Sequence, residues 1–198
     1  MERSDIKKDL HNLLRPSRFE HTLGVEYTAC CLAMRYGADI KKADMAGLLH
    51  DCAKHLSASK KLEYADYYGL SVSEYERKNP ELLHAKLGAY IARDRYGIDD
   101  PEILSAITWH TTGRPDMTLL DKIIFIADYI EPGRFKAENL DEIRALAFKD
   151  LDRCLLKILS DTVSYLSTRN IVTDPMTKKT WEYYREILKE KSRGELDG

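Results

Sequence analysis

Apolar residues recur along most of the chain at intervals of three and four positions, the spacing of one buried helix face. Runs that alternate apolar and polar residues, and Asn-Gly hairpin turns, are missing from the sequence. Helix-ending glycines at Gly37 and Gly97 and the helix-starting pair Asp100–Pro101 divide the pattern into segments. The pattern therefore predicts an all-α fold, a single bundle of roughly nine or ten helices.

Several boundaries in this pattern are specific enough to be checked. Pro16 is expected to end a short N-terminal helix within residues 1–16, and Ser17 and Glu20 have capping-box spacing for the next helix. Residues 40–53 are predicted as one helix, and residues 139–167 as one long helix or two stacked ones. We expect residues 1–198 to form one domain, with a charged, frayed tail over residues 189–198.

Composition narrows the class of protein. Lys and Arg total 31 against 33 Asp and Glu, a net charge of -2, so the basic surface of a DNA- or RNA-binding protein is not expected. The N-terminus lacks the pattern of a signal peptide, and the longest apolar stretch, residues 123–127, is too short to cross a membrane. A cytoplasmic protein is expected.

The four cysteines, Cys30, Cys31, Cys52 and Cys154, have no metal-binding or disulfide spacing. They are interpreted as buried, reduced thiols. Cys52 stands out only by its position, as a small packing residue next to a His-Asp pair.

Histidine and aspartate residues in apolar surroundings are the strongest functional indication. They are His21, the pair His50–Asp51, His84, His110 and Asp128. A lone histidine such as His21 is more often an ordinary core or surface residue. Asp128, however, lies in the most apolar predicted helix, where an isolated charge is costly without a partner or a metal. Helical bundles often build metal sites from such inward-facing side chains, and imidazole and carboxylate ligands suit Fe, Mn, Zn or Mg.

Those residues also form a known pattern. His21, His50–Asp51 and Asp128 resemble the H…HD…D motif of the HD-domain phosphohydrolase superfamily, and residues 49–54 resemble its HDxxK form. Three longer stretches resemble the YqeK family of symmetrical bis(5′-nucleosyl)-tetraphosphatases: Arg18–Val25, His110–Gly113 and Asp128–Arg134. The resemblance extends over most of the chain.

The resemblance implies an HD-type helical bundle that cleaves diadenosine tetraphosphate into two ADP by metal-activated water. It implies two divalent or mixed-valence metal ions, with iron expected and Mn, Zn or Mg open. The implied ligands are His21, His50, Asp51 and Asp128 for one ion and Asp51, His84 and His110 for the other. Asp51 and Lys54 would be the catalytic side chains, with Asp51 bridging the ions.

Because the chain has a net charge of -2, an anionic substrate needs cationic or hydrogen-bond-donating side chains close to its binding site. Candidates for the phosphates are Arg18, Lys54, His55 and Arg134, together with a polar turn formed by Thr111, Thr112 and Gly113. Lys54 and Arg134 belong to the family motif, whereas a solvated charge is an equally good interpretation of Arg18 and His55. Asn170 and Ile171 are candidates for the base pocket from their position after the long helix.

Two other functions fit the same residues. One is an HD-type nucleotidase or deoxynucleotide phosphohydrolase that acts on mononucleotides. The other is a non-catalytic HD module that senses a nucleotide, which loss of a ligand residue would favour; all six are present. The base preference, the metal in the cell and a possible homodimer stay open.

Overall fold

The computed structural model describes residues 1–135 and 139–194. Within these residues the chain forms eleven α-helices and one 3-10 turn, Pro80–Leu82, with no strands, so the all-α prediction is confirmed. The helices are α1 (Arg3–Leu13), α2 (Pro16–Tyr36), α3 (Ile40–Leu49), α4 (Ala58–Tyr67), α5 (Glu74–Lys78), α6 (Leu83–Tyr96), α7 (Pro101–Trp109), α8 (Leu119–Ile130), α9 (Leu140–Ala147), α10 (Leu151–Thr168) and α11 (Pro175–Gly194).

The start of α2 differs from the sequence prediction. Pro16 begins this helix rather than ending the previous one, with Arg15 as an extended N-cap residue. No side chain caps α2, so the predicted capping box of Ser17 and Glu20 is wrong. A proline at the first helical position needs no amide partner and already has the helical φ, which makes a side-chain cap less necessary.

The C-terminal ends of α3 and α11 also differ from the sequence prediction. α3 stops at Leu49, and residues 50–55 continue as consecutive turns in which the amide of Cys52 bonds to Leu49 O at 3.1 Å. The segment 139–167 forms two helices, one of the two predicted arrangements, and Asp150 caps the second, α10, through the amide of Arg153. α11 continues to Gly194, through the first part of the segment that was predicted to fray.

The core forms where α2, α3, α7 and α8 pack together. Fully buried aliphatic side chains of α3 and α8 fill its centre, among them Leu48, Leu49, Ile123 and Ile124. α2 and α3 approach each other closely at Gly47, where a Cβ would lie 2.8 Å from Glu26 Cα. This contact sets the distance between the helix that carries His21 and the helix that leads into His50.

All four cysteines are free thiols. Cys52 and Cys154 are buried, whereas Cys30 is half-buried and Cys31 is exposed, so the expectation of burial is wrong for that pair. The cause is their position on α2, whose outer face reaches solvent there. Cys52 packs beside the dyad, and its thiol donates to Gly88 O at 3.4 Å. Among the described helices, none combines the length and hydropathy that a membrane span requires.

Candidate metal centre

Five elements bring the six predicted ligand residues to one place. His21 lies in the second turn of α2, and Asp128 lies in the last turn of α8. The other residues lie at helix ends: His50 and Asp51 directly after α3, His84 in the first turn of α6, and His110 directly after α7. Helix ends face one another in the interior of this bundle, so the five elements enclose a polar centre.

The distances define two overlapping groups. Ligand atoms of His21, His50 and Asp51 lie within 4.8 Å of one another, and so do those of Asp51, His84 and His110. Asp128 Oδ1 lies 2.9 Å from His21 Nε2 and 4.0 Å from His50 Nε2, at the edge of the first group. Asp51 belongs to both groups, as a bridging carboxylate must.

Hydrogen bonds on the side away from the centre fix the orientation of three histidine rings. His50 Nδ1 donates to Gly47 O at 2.7 Å, and His110 Nδ1 donates to Ile107 O at 2.7 Å. His84 Nδ1 likewise donates to the carbonyl of Glu81. Since a carbonyl only accepts, each Nδ1 carries a hydrogen, and Nε2 is the ring nitrogen left to offer a lone pair to the centre.

Three of the inward-facing ligand atoms have no hydrogen-bond partner among the described residues. Nε2 of His84 and Nε2 of His110 lie 3.1 Å apart, close enough for both nitrogens to contact one ion. His50 Nε2 and Asp51 Oδ1 are buried without a hydrogen-bond partner, and so is His21 Nε2, whose contact with Asp128 lacks hydrogen-bond geometry. Buried lone pairs that converge in this way fit a bound cation, and the nitrogen and oxygen donors suit transition metals.

The pKa shifts favour the protonation states of metal ligands. Burial lowers the pKa of His50 to about 4 and also lowers that of His84, which keeps both rings neutral near pH 7. Burial alone would raise the pKa of Asp51, but the surrounding histidines hold it well below its usual value. Metal binding requires neutral imidazole and ionised carboxylate, so little deprotonation is needed at these three residues.

His21 and Asp128 behave as a coupled pair. Burial acts to lower the pKa of His21, but Asp128 and then Glu131 outweigh it, so the pKa of His21 is raised. The pKa of Asp128 is lowered against the effect of burial, first by its contact with His21. The two carboxylates therefore stabilise positive charge at His21 from both sides, Asp128 at Nε2 and Glu131 at Nδ1.

Three of the predicted cations reach the centre. Arg18 Nη1 donates to Asp51 Oδ2 at 2.9 Å, and Arg134 Nη2 donates to Asp128 Oδ1 at 2.8 Å. Lys54 Nζ lies 3.3 Å from both ring nitrogens of His84, and burial lowers its pKa. Arg18 is thus engaged with a candidate ligand rather than simply solvated.

The predicted polar turn reaches the centre only in part. The hydroxyl of Thr111 lies 3.3 Å from His84 Nε2. The hydroxyl of Thr112 donates to Gly113 O, and the amide of Gly113 bonds to Trp109 O at 2.9 Å, so both donors are already used. Gly113 has a positive φ of 63° and lies against Thr180, which indicates a structural role for this glycine.

His55, Asn170 and Ile171 are not brought to the centre. His55 donates to Cys52 O and lines a separate cavity of about 340 Å³ beside Arg95 and Tyr96. Ile171 lines a groove against α5 that contains none of the six candidate ligands. Asn170 is exposed in a left-handed turn with a φ of 55°. Their predicted contact with substrate finds no support in these positions.

One residue of the centre was missed by the sequence analysis. Glu131 lies in the family stretch Asp128–Arg134 but was given no role of its own, yet its side chain is 4% exposed and Oε1 accepts from His21 Nδ1 at 2.9 Å. A signal was present, because Glu131 follows Asp128 by three residues and so lies on the same helix face.

Comparison with known proteins agrees with this geometry. Residues 18–133 match the family model of the HD domain. The symmetrical bis(5′-nucleosyl)-tetraphosphatase of Bacillus subtilis is 39% identical over 183 residues, covering 92% of this chain and 97% of the relative. The protein of the same name from Halalkalibacterium halodurans is 40% identical, covering 89% of this chain and 92% of the relative.

A crystal structure from Clostridium acetobutylicum has the same fold, with a TM-score of 0.91 and 40% identity, covering 94% of this chain and 98% of that one. That protein is described as an HD superfamily hydrolase involved in NAD metabolism. An all-helical bundle around a histidine–aspartate centre defines the class of metal-binding HD hydrolases. The chain belongs to the HD domain family and, within it, to the family of symmetrical bis(5′-nucleosyl)-tetraphosphatases.

Proposed function

We propose that this chain hydrolyses dinucleoside tetraphosphates symmetrically, with diadenosine tetraphosphate as the representative substrate. Water oxygen forms a bond to an inner phosphorus, the central P–O–P bridge breaks, and each product leaves as a nucleoside diphosphate. The observation that carries the proposal is the pair of donor groups that share Asp51. Two relatives named for this activity support it, because this chain aligns with nearly their whole length.

The metals are part of the proposal. We infer two ions per chain, one held by His21, His50, Asp51 and Asp128 and the other by Asp51, His84 and His110, with iron as the expected element. Nitrogen and oxygen donors without cysteine suit iron, manganese or zinc. When bound, such ions would lower the pKa of a coordinated water and offset charge on the attacked phosphate.

The side chains around the centre have separate roles in this proposal. Asp51 keeps its carboxylate ionised between the two donor groups. Lys54, beside His84, supplies a point charge for the phosphate chain. The guanidinium of Arg134 can grip two phosphate oxygens at once, and we assign the same role to Arg18. Thr111 adds a hydroxyl donor at the edge of the second group.

Product analysis tests the function. Metal-loaded protein should convert diadenosine tetraphosphate into ADP as the sole nucleotide product, and in ¹⁸O-labelled water one of every two ADP molecules should carry the label. Asp51→Asn should abolish turnover, because it removes the shared anionic ligand. Equal amounts of ATP and AMP would contradict symmetrical cleavage. Activity confined to mononucleotides would favour the nucleotidase alternative instead.

A further inference from the structure

His21 differs from the other three candidate histidine ligands in what orients its ring. The other three donate Nδ1–H to the carbonyl oxygen three residues earlier. His50 and His110 can do so because they follow helix ends, where the last carbonyls lack helical partners. His21 lies inside α2, where the carbonyl three residues earlier is committed to the helix, so its ring needs an acceptor from elsewhere.

Glu131 is that acceptor. Its Oε1 accepts from His21 Nδ1 at 2.9 Å, and its Oε2 accepts from the amide of Gly133 at 2.5 Å. A Cβ at Gly24 would overlap the carboxylate, so this glycine makes room for it in α2. Both oxygens are therefore occupied, and the side chain has one orientation.

The turn that carries Glu131 is held from behind by Arg144 of α9. Arg144 Nε donates to Ile130 O at 3.0 Å, and Nη2 donates to Glu131 O at 3.0 Å and to Arg134 O at 2.9 Å. One guanidinium thus fixes three carbonyls of the segment from which Glu131 reaches His21 and Arg134 reaches Asp128.

We propose that Glu131 is a positioning residue that orients His21 as a metal ligand, and that Arg144 holds the turn in the conformation this requires. The inference rests on the proposed ligand set and goes beyond it, because neither residue is itself a ligand. A carboxylate that accepts from the outer nitrogen of a histidine fixes its tautomer and raises the basicity of the inner nitrogen.

Glutamine cannot replace Glu131 in this arrangement. Glu131 faces two donors, the Nδ1–H of His21 and the N–H of Gly133, and an amide offers one acceptor oxygen and one donor nitrogen. If the amide oxygen faces His21, the NH₂ group opposes the Gly133 amide. If it faces Gly133, the NH₂ group favours the tautomer of His21 whose Nε2 carries the hydrogen and cannot bind a metal.

The test measures metal retention in the absence of substrate. Full-length protein is loaded with Mn²⁺ alone and transferred to a competing chelator, and the Mn²⁺ that remains bound is measured over time. Glu131→Gln should weaken binding of one of the two ions by about 10–100-fold, the usual effect of losing an outer partner of a histidine ligand. Glu131→Asp, which is one methylene shorter, should show the same loss. His21→Ala serves as the reference for a lost ligand.

Arg144→Lys should weaken the same ion, because one ammonium cannot hold three carbonyls in a planar arrangement. Arg144→Gln is a second variant, in case the lysine form does not fold. Asp141→Asn is the matched control, since Asp141 contacts Arg144 only at 3.6 Å and is fully exposed. Thermal unfolding of each variant in excess chelator shows whether the protein itself is intact.

The outcomes separate the inference from the proposed centre. If His21→Ala loses one ion but both Glu131 variants retain two like the parent protein, the role of Glu131 is overturned. If the Glu131 variants lose an ion and the Arg144 variants do not, the role of Arg144 is overturned. If His21→Ala itself retains both ions, the ligand set is wrong and the inference fails with it.

Discussion

Single cationic side chains contact the candidate ligands at the edge of the centre. Lys54 lies against His84, and Arg134 contacts both the carboxylate and the carbonyl of Asp128. Each can therefore act either on the phosphates or by holding a ligand in place. Metal content distinguishes the two roles. If the cation holds a ligand in place, its removal should also reduce the bound metal; if it acts only on the phosphates, the metal should stay bound.

We expect Lys54→Ala and Arg134→Ala to lower kcat about 10²–10³-fold with full metal content, the usual effect of removing one preorganised donor to a developing charge. Arg134→Lys should be a poor substitute, because an ammonium lacks the bidentate fork. Turnover of diadenosine tetraphosphate by metal-replete protein is the measurement.

The control is Lys60→Ala, an exposed lysine on α4 that pairs with Glu63 and should turn over like the parent protein. Parent-like turnover of both Lys54→Ala and Arg134→Ala would mean that the phosphates bind elsewhere. A parallel loss of metal would assign both cations to holding the ligands.

The residues of the centre could be predicted where polar side chains interrupt an apolar stretch of sequence. A carboxylate in the most apolar helix and a His-Asp pair after a buried run both indicate the centre from the amino-acid sequence alone. The spacing of Glu131 from Asp128 places it on the same helix face, but its contact with His21 also depends on the packing of α8 against α2, which the sequence pattern does not give. His55 was predicted from its neighbours in sequence, but the turn after Lys54 carries it to another cavity.

At the scale of elements, the spacing between α2 and α3 determines the distance between His21 and His50. Gly47 sets this spacing, since an added Cβ would lie 2.8 Å from the backbone Cα of Glu26. We expect Gly47→Ala to separate the helices, destabilise the protein by about 1–3 kcal/mol as overpacked cores do, and weaken metal retention. Chemical denaturation and Mn²⁺ retention are the two measurements.

Gly88→Ala is the matched control, because Gly88, like Gly47, lies inside a helix that positions a candidate ligand: Gly88 in the helix of His84 and Gly47 in the helix that leads into His50. Its added Cβ would lie 3.1 Å from a side-chain methyl of Ile107, a less severe contact than the 2.8 Å to backbone at Gly47, and a side chain rather than the backbone would have to shift. The higher helix propensity of alanine, about 0.8–1.0 kcal/mol, offsets the remaining strain. Equal stability of the two alanine variants would contradict the assigned role of Gly47.

The helices themselves were predictable, but their ends were less so. Caps encoded by one side chain, such as Asp39 and Asp100, begin helices where the sequence predicts. Pro16 was ambiguous, since a proline is compatible with both the end of one helix and the first turn of the next. The end of α3 at Leu49 depends on tertiary contacts of His50 and Asp51, so a periodic pattern alone extends the helix too far.

At the scale of the whole molecule, the candidate centre joins helices that are distant in sequence. Its six ligands come from α2, the turn after α3, α6, the end of α7 and α8, so bound ions would cross-link most of the core. An unfolded chain cannot assemble this set of ligands. Metal binding should therefore stabilise the native state by RT ln(1 + [L]/Kd).

For each ion bound, we expect the thermal midpoint of the parent protein to rise by about 5–10 °C when Mn²⁺ is present at a hundred times the Kd of that ion, compared with protein in excess chelator. This follows from about 2.7 kcal/mol of linkage and about 2–4 °C per kcal/mol for a chain of this size. Asp51→Asn should abolish most of the rise, because Asp51 belongs to both donor groups. His84→Ala should remove only part, because the group formed by His21, His50 and Asp51 stays intact. If the midpoint of Asp51→Asn rises as much as that of the parent protein, the stabilising ions bind outside this centre. If the parent protein has the same midpoint in Mn²⁺ and in chelator, the metal centre itself is contradicted.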